Sequence, residues 1–244
     1  VESVWPVTSS VLINNDRVYC TAGRSSYLDG GMVLYQLDPS TGEMLHKKRL
    51  YSRDPESGRQ PEQKIEDVEL PGFKPDVLVS DSNWIYLRDR RMDEKGNVKA
   101  PDVKHLYSPV GLLDDHWWHR SYWQWGERTW GRYSGWHVVD AYRPSGRILA
   151  MNEKNVYGFG RKRVGPRGYR FKMGNRHLFC SSKEVKPVDT IPAVIRKNNN
   201  LALRNHQKPA DVRYHWSVST SILVRAMVLT NNTLFVSGPV KTGN

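Results

Sequence analysis

The sequence predicts an all-β fold made of repeated antiparallel sheets. The first observation is a phrase that occurs four times: an apolar run, a short turn rich in Asn, Asp, Ser and Thr, then an apolar residue followed by Tyr or Phe. This pattern is typical of a β-hairpin, in which a tight turn joins two strands. The second observation is that long helical periodicity is absent, while glycine and proline interrupt the chain throughout. The four copies lie at 12–19, 78–86, 150–157 and 228–235.

The first copy is followed by a complete four-stranded unit. After its hairpin, a glycine-bounded loop at 23–31 leads into an alternating strand at 32–38. Pro39 and Gly42 occupy the second and fourth positions of a turn, which suits a type I turn, and a further strand follows at 43–50. Repeated sheets of four antiparallel strands are the blades of a β-propeller.

The residues of this unit also resemble a known family. Leu37, Asp38, Thr41 and Gly42 match the tryptophan-docking repeat of pyrroloquinoline-quinone-like (PQQ-like) propellers, while a lysine (47 or 48) stands where the docking Trp is expected. Segments further along the chain are similar to those of large bacterial proteins that carry this propeller. The resemblance implies a propeller fold, and it says less about activity, because such propellers serve as quinoprotein dehydrogenases, assembly scaffolds and recognition modules.

The repeats predict the domain organisation. We interpret 1–244 as a single partial propeller of about three four-stranded blades, at 9–51, 75–140 and 147–217, plus the first hairpin of another blade at 222–244. The third blade is expected to take its last two strands from 177–180 and 213–216. The predicted long inserts lie at 52–74, 92–104 and 183–211.

The number of blades predicts partners for this chain. Closed propellers carry about four to eight blades, so three blades and a hairpin are too few for a ring. Open sheet edges are liable to pair with other chains. We therefore expect the rest of the same propeller, or other protein subunits, to contact the terminal blades.

The repeat also predicts which residues are buried. The apolar–aromatic pair that closes each hairpin is expected to occupy equivalent places in successive blades and to be mostly buried. The residues concerned are Val18, Tyr19, Ile85, Val156, Tyr157, Leu234 and Phe235.

An aromatic segment at 114–136 holds six of the nine tryptophans. One interpretation is that these rings fill the space between neighbouring blades. Another is a platform that stacks on a small molecule or a glycan, with polar neighbours fixing its orientation. The candidate platform residues are Trp117, Trp118, His119, Arg120, Tyr122, Trp123 and Trp125.

A metal site in the same segment is not expected. It would use Asp114, His116 and His119, but two residues three apart in a strand point to opposite faces of the sheet. We therefore predict no resident metal ion here.

The chain is strongly basic, with 37 Lys and Arg against 25 Asp and Glu, a net charge of +12. The densest basic run lies at 161–172 and contains glycines, a proline and two aromatic residues, so it could hold phosphates. It also falls in a connection between predicted strands, where a solvated positive loop is ordinary. Nucleic acid is therefore not among the partners that we expect.

Motifs of catalysis are absent from the sequence. It has no GxSxG, HExxH or phosphate loop, no CxxC pair and no haem attachment site. Cys20 and Cys180 fit buried thiols that act as small hydrophobes. The adjacent cysteines of methanol-type quinoprotein dehydrogenases are missing, and no stretch approaches the roughly 18 apolar residues of a membrane helix.

These observations favour a non-catalytic binding or scaffolding module of PQQ-like propeller type, without a cofactor, in the periplasm or otherwise outside the cytoplasm. The resemblance implies an alternative, part of a quinoprotein oxidoreductase that depends on PQQ and calcium. A second alternative is a carbohydrate-binding propeller that uses the aromatic segment.

Overall fold

The computed structural model is all-β, with no helix in any part of the chain that it describes. No membrane-spanning helix is therefore found among the described residues. The chain divides into two compact units, unit 1 at 1–102 with 111–118, and unit 2 at 103–110 with 119–244. The described residues are 3, 5–59, 72–81, 83–99, 103–108, 111–113, 122–127, 143–162, 176–184 and 212–240.

The first sheet of unit 1 is a four-stranded antiparallel meander with the order β1-β2-β3-β4. Its first turn is type I′, because Asn15 and Asp16 both have positive φ, 49° and 52°. The twist of this turn matches the twist of the two strands that it joins. The strands are β1 (Leu12–Asn14), β2 (Arg17–Ala22), β3 (Met32–Leu37) and β4 (Met44–Leu50).

The second sheet of unit 1 is shorter and has the order β5-β6-β7-β8. It lies within 78–99, so the range 75–140, which the sequence suggested as one blade, contains a complete sheet and then further strands. Two of its strands fall in or at the edge of the expected insert at 92–104. The strands are β5 (Leu78–Ser80), β6 (Ile85–Leu87), β7 (Arg90–Met92) and β8 (Val98–Lys99).

One hydrophobic core joins these two sheets. Tyr19, Met32 and Leu34 come from the first sheet, and they cluster with apolar residues of β5, β6 and β7. The first strands of the two sheets, β1 and β5, lie beside each other. The remaining core residues are Leu50, Phe73, Leu78, Ile85, Leu87 and Met92.

Unit 2 contains three sheets: a three-stranded sheet with the order β11-β10-β9, a four-stranded sheet with the order β12-β13-β14-β15, and the two-stranded hairpin β16-β17. The last two strands of the four-stranded sheet lie where the sequence predicted them. The strands are β9 (His105–Tyr107), β10 (Trp123–Gly126), β11 (Ser145–Gly146), β12 (Ile148–Met151), β13 (Asn155–Arg161), β14 (Arg176–Ser182), β15 (Tyr214–Val218), β16 (Ala226–Leu229) and β17 (Leu234–Ser237).

All four predicted hairpins are confirmed, and the last three share one turn geometry. In each of the three, the first turn residue (Asp81, Asn152 or Thr230) donates its amide to the carbonyl of the fourth turn residue, at 2.9–3.1 Å. The side chains of Asp81 and Asn152 also accept amide hydrogen bonds from within the turn. Asx side chains favour turns for this reason.

Candidate functional site

The aromatic segment is described only in part. Strand β10 and its neighbours Tyr122 and Glu127 are described, whereas the rest of 114–136 lies outside the described residues. The following sequence-predicted site residues are therefore not placed: Asp114, His116, Trp117, Trp118, His119 and Arg120.

The three described platform residues lie on or next to β10, where burial alternates along the strand. Tyr122 and Gln124 are buried, while Trp123 and Trp125 are half-buried. The ammonium of Lys183 sits 4.5 Å from the centroid of the Trp125 ring, and the Trp125 indole donates a hydrogen bond to the Lys183 carbonyl at 3.4 Å. This cation–π contact covers one face of Trp125, so that ring has at most its other face for stacking.

The pKa of Lys183 reflects the environment of its contact with Trp125. Burial lowers the pKa of Lys183, and the nearby charge of Glu153 partly opposes that shift. The cation–π contact and the indole hydrogen bond connect β10 to the end of β14. The contact therefore fits packing between sheets, one of the interpretations that the sequence left open for these aromatic residues.

The end hairpin, β16–β17, differs from every other described sheet in having two strands. One face carries Val228 and Phe235, which are cross-strand partners and are 60% and 58% exposed. The opposite face carries Met227, Leu229 and Leu234, which are half-buried. In a sheet with one face exposed to solvent, apolar and polar residues alternate along each strand. Strands that are apolar on both sides are typical of sheets that are covered on both faces.

The repeat identifies what is unusual about Phe235. The equivalent aromatic residues of the first two copies, Tyr19 and Tyr86, are 1% and 2% exposed, and Tyr157 of the third copy is half-buried. The predicted burial is therefore confirmed for Tyr19, is only partial for Tyr157 and is wrong for Phe235. Tyr19 is buried because it packs in the hydrophobic core between the two sheets of unit 1, whereas Phe235 lies on a hairpin that has no third strand among the described residues.

Of the other residues in the burial prediction, Ile85 and Val156 are buried, whereas Val18 and Leu234 are only half-buried. Two further exposed apolar residues lie on β15, at the opposite edge of its sheet from β12, the strand beside β16. Trp216 and Val218 on β15 are 37% and 49% exposed. We define the open apolar surface as Val228 and Phe235, which are exposed cross-strand partners, since isolated exposed apolar side chains are ordinary but grouped ones mark interaction sites.

Comparison with models of protein families, with curated proteins and with solved structures finds no match to this chain. The likeness to PQQ-like propellers therefore stays a prediction. Among the described residues, no group of three or more His, Cys, Asp or Glu is arranged to hold a metal ion. Cys20 and Cys180 are buried free thiols, and burial raises the pKa of each.

Proposed function

We propose that this chain is part of a propeller-like module that binds other polypeptide, and that it binds a partner strand on the β16–β17 hairpin. The single observation that carries the proposal is the 58% exposure of Phe235, at a position whose counterparts in two other sheets are buried. The occupant is an extended polypeptide that pairs with β17 and places apolar side chains against the open apolar surface.

The order of the strands supports the propeller-like arrangement. In unit 1, the first strands of successive sheets, β1 and β5, lie beside each other, and in unit 2 the same holds for β12 and β16. Sheets that radiate from a common axis bring their first strands together in this way. Each four-stranded sheet is also a simple meander in which neighbouring strands follow one another in the chain.

The four-stranded sheets also show what an occupant of the end hairpin would look like. Strands β3, β7 and β14 each pair antiparallel with the second strand of their hairpin. By equivalence, the outer edge of β17 would take a third strand. Addition of a strand to an open edge gains main-chain hydrogen bonds, while alternate side chains give specificity.

A peptide that contains residues 32–50, the β3–β4 hairpin of this chain, is a direct probe of the surface because it is a natural second half of such a sheet. We expect a fluorescently labelled form to bind the full chain, as measured by anisotropy. Phe235→Glu should weaken binding at least tenfold, about 1.4 kcal/mol, since it places a charge in the apolar contact.

The matched control is Asn232→Glu, which changes the charge of the exposed turn of the same hairpin. It should bind the peptide like the wild type, and a peptide of scrambled sequence should not bind. Sedimentation velocity shows whether a second copy of the chain uses the surface instead. The proposal fails if the wild type neither binds the peptide nor self-associates, or if Phe235→Glu leaves both properties unchanged.

A further inference from the structure

One face of the first sheet of unit 1 carries an apolar row that crosses all four strands. Ile13 on β1 is the cross-strand partner of Val18 on β2. Val18 is also the partner of Leu37 on β3, and Leu37 is the partner of Met44 on β4. Residues directly opposite each other on neighbouring strands share a face of the sheet. We call these four residues the apolar row.

The apolar row lies on the face of this sheet that points away from the second sheet. Successive side chains along a strand point to opposite faces, so Val18 and Tyr19 lie on different faces. Tyr19 belongs to the core that joins the two sheets. Ile13 and Met44 are 69% and 49% exposed, and the two central residues of the row are half-buried. The row is therefore open in the free chain.

The second sheet shows what covers a row of this kind. Ile85 comes directly before the hairpin tyrosine of its sheet, as Val18 does in the first sheet. Its cross-strand partner Met92 therefore corresponds to Leu37. Ile85 and Met92 are 1% and 0% exposed, because they lie in the core that includes Tyr19 of the first sheet. The row of the second sheet is thus covered by the tyrosine-bearing face of the first.

The end hairpin carries the residues that fit such a row. Val228 and Phe235 are cross-strand partners and correspond to Leu12 and Tyr19 in the first hairpin. Leu12 and Tyr19 belong to the packing between the first two sheets. Val228 and Phe235 are exposed instead. One chain therefore presents both halves of the contact that joins its first two sheets, and both halves are open.

We propose that a second copy of this chain docks its open apolar surface on the apolar row, head to tail. The contact repeats, between copies, the packing found between the first two sheets. Residues 226–237 and the four residues of the row contain no charged side chain, so the contact buries no unpaired charge although the chain carries +12. Contacts between two different surfaces of one chain generate rings or open assemblies.

This inference goes beyond the proposed function and rests on it in one respect, since both require Phe235 to be open. The partner strand of the proposed function pairs with the edge of β17, whereas the apolar row contacts the face of the hairpin. Ile13→Glu should therefore weaken docking of a second copy and still allow the peptide 32–50 to bind. The two proposals can fail separately.

Sedimentation velocity at increasing protein concentration measures the association, in about 0.15 M sodium chloride to screen repulsion. The hairpin face has only two strands, so we expect weak association that increases with concentration. Ile13→Glu and Phe235→Glu should each weaken it roughly tenfold or more, since each places a charge in the apolar contact. Both residues are largely exposed, so both variants should keep the wild-type melting temperature.

The decisive sample is an equimolar mixture of these two variants. Ile13→Glu keeps an intact hairpin face, and Phe235→Glu keeps an intact row. One contact can therefore form between the two variants, and none can form at their other ends. The mixture should give dimers with the wild-type affinity and no larger species.

Two control variants add the same charge elsewhere. Val98 is a 50% exposed residue on the outer strand of the second sheet, and Asn232 lies in the exposed turn of the end hairpin. Val98→Glu and Asn232→Glu should both associate like the wild type.

Several outcomes would overturn the head-to-tail contact. One is a wild type that stays monomeric at every concentration, and another is association that Ile13→Glu leaves unchanged. A mixture of Ile13→Glu and Phe235→Glu that stays monomeric would show that the contact joins identical surfaces. An equal change in Val98→Glu would show that association follows the net charge.

Discussion

At the scale of single residues, two aspartates organise two turns in the same way. Asp38 and Asp54 each begin an Asp-Pro-x-Ser/Thr-Gly turn and accept hydrogen bonds from the amides two and three residues later. The glycines that end these turns, Gly42 and Gly58, have φ of 73° and 65°, which favours glycine. The second turn lies inside 52–74, which the sequence suggested as an insert.

These turns make part of the stability depend on pH. Hydrogen bonds from the amides of Thr41 and Ser40 hold the pKa of Asp38 below its ordinary value. A lowered folded-state pKa stabilises the fold above the unfolded pKa, about 3.9, and this contribution is lost as the pH falls through the folded value. Asp38→Asn should therefore be less stable than the wild type at neutral pH, and the two should converge at about pH 2.

Urea denaturation of both proteins at several pH values measures this difference. Asp54→Asn should behave in the same way, because hydrogen bonds from the amide and hydroxyl of Ser57 lower the pKa of Asp54. Ser40→Ala serves as the control, since it keeps the carboxylate of Asp38 and should run parallel to the wild type. If the difference in free energy of unfolding between Asp38→Asn and the wild type stays constant with pH, the charge of Asp38 does not have this role.

At the scale of elements, equivalent positions of the repeated hairpins are expected to contribute differently to the free energy of unfolding. Tyr19 lies in the core of unit 1, whereas Phe235 is mostly exposed. Tyr19→Ala should lower the free energy of unfolding by about 3–5 kcal/mol, as for other large buried aromatic residues. Phe235→Ala should change it by about 0.5 kcal/mol or less, as at other surface positions.

Denaturant titration of the two alanine variants gives the comparison directly. Tyr86→Ala provides a second buried position from the next hairpin and should resemble Tyr19→Ala. A large loss in Phe235→Ala would show that its ring is already covered in the free chain. The partner strand proposed for β17 would then have no open surface to bind.

The elements also show how far the sequence predicts this molecule. Hairpin turns are local, and the Asn, Asp and Thr residues of the four copies predict them because their side chains satisfy the turn backbone. The sequence does not separate the sheets in 75–140, because their strands are short: β8, for example, has two residues, and a two-residue strand shows no alternation. Whether an aromatic residue such as Phe235 is buried depends on the strands and sheets that lie against it, which a local pattern does not reveal.

Contacts between charged residues likewise depend on pairing between distant segments of the chain. The basic run at 161–172 includes Arg161, but nothing near Arg176 in the sequence sets that residue apart. Only the strand register places Arg161 opposite Arg176. An arrangement that depends on pairing between distant segments needs the structure to become visible.

At the scale of the whole molecule, the net charge of +12 affects stability. Self-repulsion of a strongly charged chain destabilises the compact state, and salt screens it. The Debye length falls from about 30 Å at 0.01 M to about 8 Å at 0.15 M ionic strength. The exposed ion pair Lys104–Glu184 also weakens with salt, but such pairs contribute little.

We therefore expect sodium chloride to raise the melting temperature of the full chain by about 2–4 °C between those ionic strengths, which corresponds to about 1 kcal/mol for a chain of this size. Scanning calorimetry at each salt concentration measures the shift. Replacing the exposed Lys47 and Lys154 by Glu lowers the net charge by four and should reduce the salt response. A melting temperature that falls with salt in the wild type would mean that attractive pairs outweigh the net repulsion.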